Sequence, residues 1–140
     1  MSAALIDTNV LVYAHDADAP QKQARAIALV RELATTGEGA VCVQVLGEYV
    51  NVVARKFRHR LDMSEALDQA RALTALFTVH DTTPEVVLEA GRGVERHGFA
   101  FYDAQIWAVA RLNGISLVYT EEFTHGREVE GVRFENPFRT

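Results

Sequence analysis

Ala3-Ala4-Leu5-Ile6-Asp7-Thr8-Asn9 is the stretch that decides the fold, because a short apolar run stops there at three polar residues. Apolar residues resume after Asn9 and continue to Tyr13, and the chain then turns polar. An apolar run, a polar break and a second apolar segment predict a buried strand, a turn and a short helix. We therefore expect Asp7 to stand at the carboxyl end of the first strand.

The same alternation of short apolar runs and helical periodicity continues along the chain. Pro20 is typical of a helix start, and Asp62 followed by Glu65 indicates a capping box. Strands are predicted at residues 3–6, 40–43, 78–80, 115–119 and 132–134, and longer helices at residues 20–36, 44–57, 63–77, 84–97 and 102–113. Because parallel strands need crossover connections, this order predicts a three-layer α/β/α sandwich with a mostly parallel central sheet.

Length and composition favour one globular domain over residues 1–140. The chain has a mass of 15.5 kDa, and 49% of its 140 residues are hydrophobic, with no repeat or linker. No apolar run is long enough for a membrane helix, and Asp7 interrupts the first apolar stretch where a signal peptide would continue. We expect a cytoplasmic protein with no membrane partner.

The single cysteine, Cys42, lies in a predicted strand and is expected to be a small core residue.

The net charge of -5 argues at first against a polyanionic partner such as RNA. The sign of the total is misleading if several acids surround a bound cation, because the cation restores positive charge locally. Nucleic acid therefore remains a possible partner.

Acidic residues occur at four places where they are unusual. Asp7 ends the first predicted strand, and Glu121-Glu122 follow the strand that ends at Tyr119, so both groups belong to the edge where α/β sheets bind ligands. Glu48 and Asp103 fall on the apolar stripes of their predicted helices. Carboxylates are rarely buried without a partner, so we expect these side chains to converge.

A cluster of carboxylates calls for a cation, and hard oxygen ligands suit Mg²⁺ or Mn²⁺. Such an ion holds a phosphate and activates water, which favours phosphodiester hydrolysis. Each acid also has a simpler interpretation: Asp7 and Asp103 as helix caps, Glu48 as the partner of a cation such as Lys56, and Glu121-Glu122 as a solvated turn. The joint occurrence of all four favours the metal site.

With Asp7-Thr8-Asn9, Glu48, Phe101-Tyr102-Asp103-Ala104 and Thr120-Glu121-Glu122-Phe123 in this order, the sequence resembles the PIN domain, and VapC-type toxins in particular. The resemblance implies a metal-dependent endoribonuclease, usually a homodimer, that a small antitoxin neutralises. It also implies the roles of single residues. Asp7, Glu48 and Asp103 match the first three catalytic and metal-binding acids, and Thr8, Asn9 and Thr120 match positions that orient carboxylates and water.

The fourth acid departs from the family pattern. Glu122 stands where an Asp is usual, and its longer side chain predicts weaker or water-mediated metal binding. Its neighbour Glu121 is expected to face solvent or to cap the following turn beside the site.

A basic run follows the Glu48 helix. Arg55, Lys56, Arg58 and Arg60 surround Phe57, a pattern that suits RNA phosphates and a stacked base. A solvated helix end whose cations complement the helix dipole explains the run equally well.

Two other classes of protein fit the sequence less well. A hydrolase with a nucleophilic aspartate needs a second Asp two residues after the first, where this chain has Asn9. Receiver-like domains need a lysine after one of the later strands, and no lysine follows the later strands of this chain. The stronger alternative is a catalytically inactive PIN-fold module that binds protein or RNA. The presence of an acid at every expected position favours the enzyme.

Overall fold

The computed structural model describes residues 3–57 and 60–139 and contains an alternating α/β succession. Its elements in chain order are β1 (Ala4–Ile6), α1 (Thr8–Tyr13), α2 (Pro20–Thr36), β2 (Gly39–Cys42), α3 (Val43–Val53), α4 (Met63–Leu76), β3 (Thr78–His80), α5 (Pro84–His97), α6 (Phe101–Leu112), β4 (Leu117–Tyr119), β5 (Glu128–Val129) and β6 (Val132–Glu135).

The six strands form one sheet in the order β3-β2-β1-β4-β6-β5. Every pairing is parallel except the one between β5 and β6. All residues of β1 and β2 are buried. Since neighbouring side chains on a strand point to opposite faces, the sheet is covered on both sides, as the sequence predicts.

Local end signals place most helix boundaries correctly. The predicted capping box is present, because the Asp62 side chain accepts a hydrogen bond from the Glu65 backbone and the Glu65 side chain accepts one from the Asp62 backbone. Helix α2 starts at Pro20 and ends at Thr36, and the next residue, Gly37, has a φ of 73°, a left-handed conformation that favours glycine. Cys42 is a buried core residue, as expected, and Trp107 is buried as well.

Two predicted boundaries are wrong by more than one residue. The junction between β2 and α3 differs by only one residue, because β2 ends at Cys42 and Val43 already belongs to the helix. Helix α3 ends at Val53, because the chain leaves the helix in a turn four residues before the expected end at Phe57. Strand β4 is the last three residues of the predicted run at 115–119.

The sequence interpretation missed β5, a two-residue strand that pairs antiparallel with β6. Its hairpin is fixed to the core by a hydrogen bond of 3.1 Å from the Trp107 indole N–H to the Val129 carbonyl. Within the described ranges, no helix has both the length and the apolar character needed to cross a membrane.

Helices α5 and α6 approach closely at Gly93, and this contact generates a stability prediction. A Cβ at Gly93 would lie 2.8 Å from Cζ3 of the buried Trp107, whereas a Cβ at Gly91 would meet no heavy atom within 4 Å. Gly91→Ala should stabilise the helix by up to about 1 kcal/mol. Gly93→Ala should destabilise the protein by about 1–2 kcal/mol, because overpacking outweighs the same helix gain.

The two variants are compared by urea unfolding. Equal free energies of unfolding for Gly91→Ala and Gly93→Ala would show that α5 and α6 accommodate the extra methyl group without loss of stability.

Candidate active site

The candidate site lies at the carboxyl edge of the sheet, between β1 and β4. The chain builds β2 and β3 on one side of β1, then crosses over to place β4 and β6 on the other side. This reversal leaves a crevice beyond the ends of β1 and β4, where open α/β sheets bind ligands. Asp7 follows β1 and Thr120 follows β4, so both residues enter this crevice.

Asp7 is a buried carboxylate, with 5% of its surface exposed. Its Oδ1 accepts a hydrogen bond of 2.8 Å from the Thr8 backbone N–H, and its Oδ2 accepts bonds from the Thr120 hydroxyl (2.9 Å) and the Asn9 amide (3.3 Å). Burial nevertheless raises the pKa of Asp7 from 3.8 to about 6, and the charges of Glu48 and Asp103 add to the rise. The three donors orient the carboxylate without offsetting its desolvation.

Thr120 and Asn9 also hold the loop after β4. Thr120 is fully buried, and its hydroxyl oxygen accepts a hydrogen bond of 3.1 Å from the Glu122 N–H. Asn9 accepts a bond of 2.9 Å from the Glu121 N–H. Two polar side chains therefore connect Asp7 to the backbone of both glutamates.

A cavity of about 300 Å³ opens at Thr8 and Asn9, the two residues that follow Asp7, and we call it the acid pocket. Its lining residues come from α1, α3 and the turns after α1, α3 and β4: Thr8, Asn9, Val12, Tyr13, Asp16, Glu48, Val52, Lys56, Phe57 and Glu122. The charges of Asp7, Asp103 and Glu48 each raise the pKa of Glu122. The carboxyl groups of all four predicted acids are thus close enough to interact electrostatically.

Glu48 is exposed, which corrects the expectation that it lies on the buried stripe of its helix. The buried residues of α3 are Val45, Tyr49 and Val53. Glu48 precedes Tyr49 by one position, and this offset of about 100° turns its side chain from the core toward the acid pocket. Asp103, on the first turn of α6, is half-buried.

Two glutamines that the sequence interpretation missed hold Glu48. Gln44 donates through Nε2 to Glu48 Oε1 (3.1 Å) and to the Tyr102 carbonyl (3.3 Å). Gln105, which is 6% exposed, donates to Gln44 Oε1 at 2.7 Å. Because the oxygen of Gln44 is occupied by Gln105, its NH₂ group is directed to Glu48. The only local signal was a glutamine amid the apolar residues of α6.

Glu122 stands exposed at the mouth of the acid pocket. Partial loss of hydration is the largest cause that raises the pKa of its carboxyl above the ordinary range, followed by the charges of Asp7 and Asp103. The next residue, Phe123, stacks on Phe134 with ring centroids 4.0 Å apart and packs edge-on against Phe99. This aromatic contact fixes the loop that carries Glu122.

Glu121 is directed away from the four acids. Its carboxylate accepts a hydrogen bond of 2.8 Å from the Tyr13 hydroxyl and forms an ion pair with Lys22. It is half-buried, so the expectation that it faces solvent or caps a turn is wrong. Lys22 instead compensates its charge.

Only part of the basic run reaches the acid pocket. Lys56 and Phe57 line it. Arg55 and Arg60 are exposed, and Arg58 lies outside the described residues.

The residues present fit a hard divalent cation. The donors are carboxylate oxygens, and the buried Thr8 hydroxyl at the same pocket has no hydrogen-bond partner among the described residues. Across residues 3–57 and 60–139, no three acidic, histidine or cysteine side chains form a ready-made metal cage. Mg²⁺ keeps several waters and needs only one or two protein carboxylates, so a ready-made cage is not required for it to bind.

Comparison with known proteins identifies the family and the fold. The family model described as "PIN domain" matches residues 4–123. VapC20 of Mycobacterium tuberculosis, described as a sarcin-ricin loop cleaving toxin, has 20% identity and a TM-score of 0.65 over 86% of this chain and 90% of that chain. No curated protein matches the chain.

Two toxin-antitoxin structures are also similar. DNA-bound VapBC from Salmonella typhimurium has 17% identity and a TM-score of 0.68 over 98% of this chain and 99% of that chain. A toxin-antitoxin complex from Klebsiella pneumoniae has 18% identity and a TM-score of 0.68 over 96% and 98%. At these identities the likeness establishes the fold.

The raised pKa of Asp7 predicts a pH-dependent stability of the metal-free protein. An acid whose pKa is higher in the folded state favours folding below its unfolded pKa, and this contribution is lost as the pH rises through about 6. Asp7→Asn removes the ionisation. In EDTA, the variant should therefore gain stability relative to wild type between pH 4 and pH 7.5, by on the order of 3 kcal/mol.

Unfolding free energies at the two pH values measure this gain, and Asp81→Asn at an exposed position is the matched control. A difference between wild type and Asp7→Asn that stays constant with pH would contradict a raised pKa at Asp7.

Proposed function

Because the chain belongs to the PIN domain family, we propose that it is an endoribonuclease that uses Mg²⁺ or Mn²⁺ to hydrolyse RNA phosphodiester bonds. The observation that carries the proposal is that Asp7, Glu48, Asp103 and Glu122 interact electrostatically beside one open pocket, which Glu48 and Glu122 line. Four carboxylates in one place repel one another, so the arrangement is costly unless it binds a cation.

In this proposal each acid has a distinct setting. Asp7 is the rigid ligand, because three donors fix both of its oxygens. Glu48 is oriented by Gln44, and Asp103 approaches from the first turn of α6. Glu122 completes the set from the mouth, where its longer side chain has more freedom. When bound, the cation supplies an activated water and stabilises charge on the phosphate.

The exposed side of the pocket is where RNA would enter. Lys56 lines it and offers positive charge to a phosphate, and Phe57 offers an aromatic ring for a base. We extend this contact to Arg55, Arg58 and Arg60, which complete the same basic run.

We further propose that the protein is the toxin of a toxin-antitoxin pair and acts as a homodimer. The similarity of its fold to the Salmonella typhimurium and Klebsiella pneumoniae toxin-antitoxin structures supports a small antitoxin partner. An acidic pocket is readily blocked by an arginine, which pairs with carboxylates and displaces a cation.

The decisive test is RNA cleavage by purified protein with and without Mn²⁺. Asp7→Asn keeps the side-chain shape, removes one charge and should reduce cleavage by at least about 100-fold. Glu122→Gln should lose part of the activity, and Glu121→Gln should retain most of it, because Glu121 pairs with Lys22 outside the acid pocket.

The pair Glu121→Gln and Glu122→Gln is matched in charge and position. Cleavage that is abolished in Glu121→Gln and kept in Glu122→Gln would move the fourth acid to position 121. Cleavage by Asp7→Asn at the wild-type rate in EDTA would overturn the metal-dependent nuclease and favour a contaminating activity.

The Gln105–Gln44–Glu48 chain generates a second prediction about the same site. If Gln105 acts through Gln44, Gln44→Met and Gln105→Met should each weaken Mn²⁺ binding roughly tenfold. The double variant should be no weaker than Gln44→Met alone, because the two residues act in series. Calorimetric titration of Mn²⁺ measures all three, and Gln69→Met on the exposed face of α4 is the control.

Unchanged Mn²⁺ affinity in Gln105→Met with an unchanged melting temperature would show that Gln105 only fills the core. Additive losses in the double variant would show that the two glutamines act separately.

A further inference from the structure

A second cavity, of about 280 Å³, lies between the start of α2 and the C-terminal segment, and we call it the basic pocket. Its lining residues are Gln21, Lys22, Arg25, Pro137, Phe138 and Arg139. Three of these six residues are cations, and none is acidic. In a chain with a net charge of -5, such a concentration of positive charge is unusual.

The basic pocket adjoins the acid pocket through one side chain, Tyr13. The Tyr13 ring lines the acid pocket and packs edge-on against Phe138 of the basic pocket, with ring centroids 4.8 Å apart. Lys22 Nζ lies 3.3 Å from the Tyr13 hydroxyl and 4.8 Å from its ring centroid. A ligand that leaves the acid pocket across Tyr13 therefore meets the basic pocket next.

The charges of the three cations are not equally compensated. Lys22 pairs with Glu121. Arg25 and Arg139 form no ion pair with any residue in the part of the chain that the structure describes. Arg25 Nε donates to the Pro137 carbonyl at 3.0 Å, and this bond ties the side chain to the C-terminal segment. The terminal amino groups of a guanidinium anchored in this way remain available for an anion.

We propose that the basic pocket binds a phosphate group of single-stranded RNA, next to the phosphate that is hydrolysed in the acid pocket. The proposal rests on the nuclease function proposed above and adds a second contact for the same strand. Cations set beside the exposed edges of aromatic rings are typical of single-stranded nucleic acid sites, in which phosphates bind the charges and bases contact the rings. The strand would run from Lys56 and Phe57, past the four acids, to Arg25 and Arg139.

This path also answers an electrostatic difficulty. Without a bound cation, the four carboxylates of the candidate site repel the phosphate backbone, so attraction must then come from the residues on either side. Lys56 supplies it on one side, and the basic pocket supplies it across Tyr13 on the other. An acidic protein segment would be attracted to the same cations, but its binding would not require the basic pocket to adjoin the acid pocket.

The test measures the affinity for a labelled single-stranded RNA of about 12 nucleotides by fluorescence anisotropy in EDTA, at several salt concentrations. The double variant Arg25→Gln, Arg139→Gln is compared with Arg31→Gln, Arg96→Gln, which removes two exposed positive charges from elsewhere on the surface. The first should bind several-fold more weakly at low salt. Its slope of log K against log salt should fall by about 0.7 for each phosphate that the variant no longer neutralises. The control should match wild type.

A second arm locates the contact on the RNA. A neutral methylphosphonate is placed at each linkage in turn. Wild type should lose affinity at one linkage close to the cleaved one, and the Arg25→Gln, Arg139→Gln variant should show no further loss there. Melting curves confirm that both double variants are folded.

Equal salt slopes in the two double variants overturn the basic pocket as an RNA site. Loss of affinity for polyglutamate with RNA affinity unchanged also overturns it and identifies a surface for acidic protein. The nuclease proposal fails separately, if wild type binds RNA through Arg25 and Arg139 but cleaves none in Mn²⁺. That outcome leaves the basic pocket as an RNA-binding site.

Discussion

The buried carboxylate of Asp7 is the constraint on which the rest of the structure depends. It stands at the end of the central strand β1, 5% exposed, where an ionised group is costly to desolvate. Thr8, Asn9 and Thr120 donate hydrogen bonds to it, and the Thr120 bond crosses from β4 to β1. The same hydrogen bond therefore stabilises the carboxylate and joins the segments that follow β1 and β4 at the site. The pKa of Asp7 nevertheless stays raised at about 6, so part of the desolvation cost remains in the folded protein.

The site is assembled from elements that are distant in sequence, so it exists only in the complete fold. Thr120 lies 113 residues after Asp7, and Gln105 lies 61 residues after Gln44, yet each pair shares a hydrogen bond. The loop that carries Glu122 is fixed at one end by Thr120 and at the other by the stacking of Phe123 on Phe134. Because the loop is fixed on both sides, it can position the Glu122 carboxylate although Glu122 belongs to no helix or strand.

The sequence predicts those features of the fold that depend on interactions between residues close together in the chain. Proline at the start of α2, the Asp62–Glu65 capping box and apolar runs at β1 and β4 each act within a few residues, and the structure contains them all. The face of Glu48 was not predictable in this way. Helical spacing places it near the stripe of Val45, Tyr49 and Val53, but only the position of α3 relative to the sheet decides that a residue at the border of the stripe meets the acid pocket. The partners Gln44 and Gln105 and the short strand β5 depend equally on tertiary contacts.

Net charge is a poor guide to the partner because the charged residues are distributed unevenly and several of them form ion pairs with one another. On α5, α6 and the β5–β6 turn, Arg92 pairs with Glu89 and Glu130, and Arg111 pairs with Glu89. Hydrogen bonds from Arg92 and His97 hold the pKa of Glu130 well below its usual range, so Glu130 stays ionised at neutral pH. Such pairs contribute almost nothing to the field at long range. The acid pocket is lined by three acids and Lys56, whereas the charged residues that line the basic pocket are all cations. The two pockets lie on either side of Tyr13, so the charge changes from mainly negative to positive across this side chain. The net charge of -5 does not show this local difference.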